Sequence, residues 1–386
     1  MMLRRLILMI ALFGVFACSK EAEQPDLALK QTSFDKLEAF ESDDMLQAYS
    51  AFMKSCAALA KTNGEFLSPA AEIKISRADY LKTCQKAEKI MPSGFRNFVK
   101  DNFTPYLVTY KGESAGKFTA YYEAEINASY TRDETYKYPV YGTPYDLVEI
   151  DLKDFDETLP ARRLVGKVKD GKLVPYDTRA EIAQNGASAP VILWGDSDVD
   201  IYVMQIQGSA VAKLKDGERI RIAFAQSNGR PFRGIGSILL SKGLVEAGKA
   251  SMGSIKKWLK DNPGLAAENM NENQRYIFHR LGNPEGPVGA QGVPLTAKRS
   301  LAVDKSFVPL GALLWLETTY PNGAPLDRLV VAQDIGNAIK GAVRGDFFYG
   351  SGGDEVLEEA GKMNAAGKYY VLIPNKAETT NDKTNE

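Results

Sequence analysis

The sequence predicts a mainly β protein with helices ahead of its strands and between them. Asp170-Gly171 and Asp216-Gly217 each lie between short runs of alternating residues, the strongest short-range signal for a hairpin. Further short β-rich runs recur with turn residues between them, the pattern of a barrel or sandwich. Apolar residues at helical spacing mark other segments, most clearly near the N-terminus.

Residues 43–60 place Met45, Ala48, Phe52, Cys56 and Leu59 on one helical stripe, and residues 76–91 place Tyr80, Leu81, Cys84, Ala87 and Ile90 on another. Pro92 ends the second, and a short helix at 95–102 completes the group. From Gly116 the pattern turns to β. Runs 118–123, 136–141, 164–168 with 172–174, 201–206, and 210–214 with 219–225 read as strands. Helical spacing returns at 234–246, 254–262 and 269–280, with Trp258 as a core anchor; Trp194 and Tyr202 also read as core. Strands resume at 312–317, 329–333 and 369–373. Asp354 is placed to cap a helix with Val356, Leu357, Ala360 and Met363 inward. Residues 375–386 form a polar, frayed tail.

The first residues give a compartment. Arg4 and Arg5 precede an apolar run at 6–17, too short to span a bilayer comfortably and right for a signal-peptide core. It ends Ala17-Cys18-Ser19, which resembles a bacterial lipoprotein processing site with Cys18 lipidated. An ordinary secretory signal is the other reading. Losing Arg4 and Arg5 with no acid takes the net charge from −1 to −3, with no basic stripe of the kind nucleic-acid binding shows. Apolar content of 44% is globular.

Two residue counts exclude whole chemistries. After Cys18 only Cys56 and Cys84 remain, so a cysteine-rich zinc site is not expected. They read either as a disulfide between two helical faces or as buried free thiols. His279 is the single histidine; it builds no multi-histidine metal centre and reads as a packed or surface residue. No Gly-x-Ser-x-Gly elbow is present. If the protein is an enzyme, carboxylates carry its proton chemistry.

Three aspartates stand out: Asp304 ahead of Val308-Pro309-Leu310-Gly311, Asp334 in Gln333-Asp334-Ile335-Gly336, and Asp346 in Arg344-Gly345-Asp346-Phe347-Phe348. Glycines let backbone approach a ligand closely, and an apolar wall can keep one acid protonated at neutral pH. With Tyr121-Tyr122-Glu123, Tyr138-Pro139-Val140-Tyr141, the run from Val203 to Ser209, and the run from Asn228 to Gly236, these aspartates resemble the membrane-bound lytic murein transglycosylase A family, over about residues 118–374.

The resemblance implies a six-stranded double-psi β-barrel split in sequence. A second all-β, barrel-like domain would be inserted into it, with a glycan groove between the two. It divides this chain into a signal peptide (1–17), a tether (18–32), a helical lead-in with the barrel (33–124 and 233–374), the inserted domain (125–232) and a disordered tail (375–386). It implies cleavage of the β-1,4 bond between N-acetylmuramic acid and N-acetylglucosamine without water, leaving a 1,6-anhydro end. The sugar's own 6-hydroxyl attacks, so one carboxyl group protonates the leaving oxygen and then takes the hydroxyl proton; ordinary glycosidases need two.

Asp346 matches the family's catalytic position, and Asp334 supports it and raises its pKa. Asp304 is either a turn-capping residue or a further support. Tyr121, Tyr122, Gln207 and Gly208 match groove-lining segments, although strand alternation lets at most one of the two tyrosine rings meet ligand. Phe347, beside Asp346, is taken as more of the wall. No cofactor or metal is implied. The partners are peptidoglycan glycan strands and, through Cys18, a membrane; Ser19 favours the outer membrane, periplasmic face. Two rival readings are a hydrolase using Asp334 and Asp346 as a pair, and a murein-binding lipoprotein without activity.

Overall fold

The computed structural model describes residues 26–376 apart from positions 247, 249, 284 and 337. The signal segment, Cys18 and positions 377–386 of the tail lie outside the described residues. In chain order the elements are β1 (Leu27–Gln31), α1 (Leu46–Leu59), α2 (Arg77–Ala87), α3 (Phe95–Asn102), β2 (Phe103–Tyr110), β3 (Gly116–Ser129), β4 (Tyr138–Tyr141), β5 (Val148–Asp151), β6 (Arg163–Lys169) and β7 (Lys172–Pro175). There follow α4 (Arg179–Asn185), β8 (Val191–Gly195), α5 (Asp198–Gln207), β9 (Ala210–Leu214), β10 (Arg219–Ser227), α6 (Ile235–Ser241), α7 (Met252–Asp261), α8 (Pro263–Asn271) and β11 (Ile277–Leu281). The chain closes with β12 (Ser300–Val303), β13 (Leu313–Thr319), β14 (Pro325–Ile335), β15 (Arg344–Gly352), α9 (Asp354–Lys362) and β16 (Asn364–Pro374).

The helical lead-in packs one apolar stripe onto the sheet. Ala48, Ala51, Phe52, Cys56 and Leu59 of α1 are buried, and Phe52 meets the rings of Tyr80, Phe95 and Phe103. Cys56 and Cys84 form a disulfide between α1 and α2, with Cα atoms 5.7 Å apart. Closing a loop of 28 residues removes denatured-state entropy equivalent to about 3–4 kcal/mol. Asp43, just ahead of α1, takes both Arg299 Nη1 (2.7 Å) and Nη2 (2.8 Å) and also accepts the Leu329 N–H at 3.0 Å. Both ion-pair side chains are 2% exposed. Removing one partner of such a buried pair strands the other, at about 3–5 kcal/mol. Together these contacts pin the lead-in to β14.

Six strands pair in a circuit that returns to its start: β3 with β16, β16 with β13, β13 with β14, β14 with β12, β12 with β15, and β15 with β3. Two of these pairings, β12–β14 and β15–β3, are parallel. Inside, Phe118, Leu301, Leu314, Phe347 and Tyr369 are fully buried, while Trp315, on the other face of β13, is buried against Phe40 of the lead-in. The same sheet extends through β9, β10 and β11 on one side, while β5, β6 and β7 make a separate three-stranded sheet. A second apolar cluster of Val199, Tyr202, Ile235, Ile238, Ile255 and Leu259 lies among α5, α6 and α7.

Both Asp-Gly hairpins form, as β6–β7 and β9–β10. Several expectations are corrected. Residues 27–31, read as tether, form β1 against β2, because Leu27 and Leu29 pack on the core. Residues 201–206, read as a strand, lie in α5: the Ser197 hydroxyl caps it by accepting the Asp200 N–H, and the run is buried as a helix. A short continuous apolar run does not distinguish those outcomes. Residues 269–280 are not one helix, since α8 ends at Asn271 and aromatic, β-branched residues begin β11 at Ile277. Segment 125–232 is not all β, because it holds α4 and α5. Gly353, not Asp354, stands at the N-cap of α9, and Asp354 pairs with Lys256. Trp194 is only half-buried and lines a cavity. His279 is packed, 1% exposed, and burial pushes its pKa down to about 3, so it stays neutral.

Candidate active site

One row of residues crosses the circuit. Ala302 on β12 stands opposite Asp334 of β14 on one side and Asp346 of β15 on the other, and Asp346 stands opposite Thr119 of β3. Residues directly opposite across a ladder share a face, so both aspartates and Thr119 look the same way. Strands are about 4.8 Å apart, which sets the two aspartate Cα atoms roughly 9–10 Å apart. Asp334 joins this row through a bulge. The register skips Gln333 between Leu301–Ala332 and Ala302–Asp334, and such an extra residue re-aims the next side chain. Gln333 is fully buried, accepting from Ser300 Oγ (2.6 Å) and donating to Ala51 O and Ser55 Oγ.

Period two explains the neighbours. Tyr121, two on from Thr119, shares the row's face, and its hydroxyl donates to Asp334 Oδ2 at 2.8 Å while its ring packs on Phe348. Asp334 Oδ1 accepts the Ala290 N–H at 2.9 Å. Phe347, next to Asp346, points the other way and is fully buried in the core, so it is not part of a ligand wall. Gly345 is required: a Cβ there would meet the Phe118 ring at 2.8 Å.

Asp346 accepts a short hydrogen bond from Thr119 Oγ1, which in turn accepts from Arg344 Nη2 at 2.8 Å. Burial raises the Asp346 pKa, Thr119 and Arg344 oppose the rise, and the charge of Asp334 adds to it. Burial also raises Asp334, against its hydrogen bonds from Ala290 and Tyr121. Asp304 differs. Burial opposes its ionisation, but hydrogen bonds from the Gly341 N–H (2.9 Å) and from Ser306 hold its pKa below the ordinary value. It ties down the loop between β14 and β15 and does not line the cavity.

Asp346 opens onto a cavity of about 540 Å³ whose wall includes Tyr121, Tyr122, Gln207 and Gly208. Gln207 and Gly208 end α5, and Gly208 caps it at φ 89°, a left-handed conformation that costs a side-chain-bearing residue energy. Asp334 is not on this wall; its partner Tyr121 is. Sequence reasoning missed Phe224 and Phe232, 45% and 55% exposed on the same wall, and also Arg275. Phe232 lay within a segment already singled out, and exposed aromatics beside a carboxylate were the available signal. Thr119 gave none, because the ladder between β3 and β15 brings it to Asp346; Arg344, two residues before Asp346 on the same strand, was readable from period two.

Residues 117–280 match the MltA specific insert domain, and residues 299–373 match the 3D domain. The crystal structure of MltA from Neisseria gonorrhoeae superimposes with a TM-score of 0.81 at 30% identity, covering 92% of this chain and 95% of that one. The chain belongs to the MltA family. Within that family, the membrane-bound lytic murein transglycosylase from Agrobacterium tumefaciens gives a TM-score of 0.75 at 30% identity, over 90% of this chain and 98% of that one. Membrane-bound lytic murein transglycosylase A of Escherichia coli (strain K12) is 31% identical over 265 residues. That stretch is 66% of this chain and 65% of the E. coli protein, just under two thirds of its length.

Proposed function

We propose that this protein is a peptidoglycan lytic transglycosylase in which Asp346 alone serves as acid and then base. The observation that carries the reading is Asp346 itself, half-buried, with a raised pKa, on the wall of an aromatic-lined cavity. The family's relatives are named for this activity. A protonated Asp346 gives its proton to the leaving glycosidic oxygen, and its carboxylate then accepts the proton of the muramic 6-hydroxyl as that oxygen closes the anhydro ring. Asp334 acts through Tyr121 and through its charge. Both its oxygens already accept hydrogen bonds, which disfavours the hydrolytic pair. Tyr122, Gln207, Gly208, Phe224 and Phe232 are proposed to hold the sugars, and Asp304 is a positioning residue for the loop ending at Gly341.

The architectural reading goes with it. The closed pairing circuit of β3, β16, β13, β14, β12 and β15, with its two parallel ladders, supports a six-stranded double-psi barrel split around an insert at 125–232. Residues 33–124 and 233–374 make the other domain, and the Asp346 cavity is the groove between them. The anchor is a lipidated Cys18, with the chain on the periplasmic face of the outer membrane. Cys18→Ala is expected to leave the membrane fraction or stay unprocessed; unchanged fractionation and mature mass would remove the anchor.

The test of the activity is Asp346→Asn on purified murein. Asparagine keeps the shape but cannot cycle the proton, so release of 1,6-anhydromuropeptides is expected to fall about 10²–10⁴-fold while murein pull-down persists. Retained release would show that another group is the acid.

A further inference from the structure

A second cavity, of about 790 Å³, shares Gln205 with the Asp346 cavity. Its size suits a small ligand, and the proposed glycan chemistry does not use it. Aromatic residues Tyr138, Tyr141, Trp194 and Tyr276 line it, along with three cations, Arg132, Lys137 and Arg179, against one carboxylate, Asp198. Asp198 is already engaged, accepting the Val199 N–H at 2.8 Å.

Arg179 is the unusual member. It is 6% exposed. Nε donates to Asn273 O (3.2 Å) and Nη2 to Arg275 O (2.7 Å), and the guanidinium lies 4.6 Å from the Tyr202 ring and 5.1 Å from that of Tyr276. Among the described residues no carboxylate neutralises it. A buried cation held only by carbonyls and ring faces keeps positive charge for an anion to meet. The second observation is independent. Gln205 is 5% exposed, and its side-chain carbonyl has no hydrogen-bond partner among the described residues. A buried acceptor in that state wants a donor.

We propose that this cavity seats the acidic peptide stem of the peptidoglycan strand, with stem carboxylates toward Arg132, Lys137 and Arg179 and a stem amide N–H on the Gln205 carbonyl. The inference rests on the peptidoglycan reading above and names a further part of that substrate. A neutral sugar calls for no cluster of cations; a stem offers both free carboxylates and a run of amide donors. Stems hang from the muramic residue beside the bond to be cut, so a sugar in the Asp346 cavity presents its stem near the shared Gln205. A stem of three to five residues reaches about 10–18 Å when extended.

The test titrates a free stem peptide, L-alanyl-γ-D-glutamyl-diaminopimelate, into the full mature chain by calorimetry. Arg132 and Lys137 are exposed, so Arg132→Ala/Lys137→Ala is expected to fold normally. Wild type is expected to bind the peptide saturably and less tightly as salt rises, the double variant about tenfold more weakly, and Asp346→Asn as wild type does. Absent binding, binding unchanged in the double variant, or displacement of the peptide by a stem-free chito-oligosaccharide would each overturn the assignment. No bond is cleaved in this assay. Peptide binding without anhydro products keeps this site and rejects the cleavage reading, and anhydro products without peptide binding do the reverse.

Discussion

In the proposed mechanism the Asp346 carboxyl group holds a proton when substrate arrives and takes one back before product leaves. Its surroundings are set for the first half: burial favours the neutral acid, and Thr119 and Arg344 limit how far. The sign of the pH dependence follows. Turnover by the free enzyme needs protonated Asp346, so kcat/KM falls as pH rises through its raised pKa. Thr119 donates to the carboxylate and so favours ionisation. Thr119→Val is therefore expected to raise the pKa further and move the falling, alkaline limb of the kcat/KM profile to higher pH. A limb that stays put or moves down would mean Thr119 does not tune the acid. At this scale Asp346 and Asp334 stood out as carboxylates among glycines, amides and aromatics, whereas Tyr121, Tyr122, Gln207 and Gly208 came from the resemblance; the structure gathers all of these but Asp334 on one cavity wall. Phe347 was misjudged because adjacency in sequence says nothing about which face of a strand a side chain takes. Asp346 looks at the cavity, so its neighbour looks at the core.

Two elements aim the site. The bulge at Gln333 sets the phase that puts Asp334 opposite Ala302. Helix α5 carries Gln205 to the shared wall of the two cavities and ends at Gly208. No atom lies within 4 Å of a Cβ built at Gly208, so Gly208→Ala meets no clash and only the strain of φ 89°. The expected cost is about 1–2 kcal/mol, a fall in Tm of a few degrees for a chain of this size. An unchanged Tm would show that the helix end relaxes. The bulge was not readable, because no residue type marks it uniquely. Nor was α5, whose run Ile201-Tyr202-Val203-Met204 is apolar on every side and fits a buried strand as well as a buried helix. By contrast, α3 fell where expected, and α1 and α2 within a few residues. A one-sided stripe is the pattern a helix satisfies, although α2 stops at Ala87, ahead of Pro92 rather than at it.

Over the whole molecule, the strands of the circuit come from segments more than 200 residues apart, β3 pairing with both β15 and β16. Such closure leaves no local trace in sequence beyond turn signals and alternation, so the architecture came from the resemblance and not from periodicity. What the assembled molecule offers is one carboxyl group, that of Asp346, on the cavity wall, while Asp334 lies off that wall with both its oxygens bonded. That arrangement suits attack by a hydroxyl of the substrate itself rather than by water. The most direct test digests purified murein with the wild-type protein in water enriched in heavy oxygen and reads the new chain ends by mass spectrometry. The expected ends are 1,6-anhydromuramic and carry no heavy oxygen. Reducing ends labelled from the solvent would contradict the proposed mechanism.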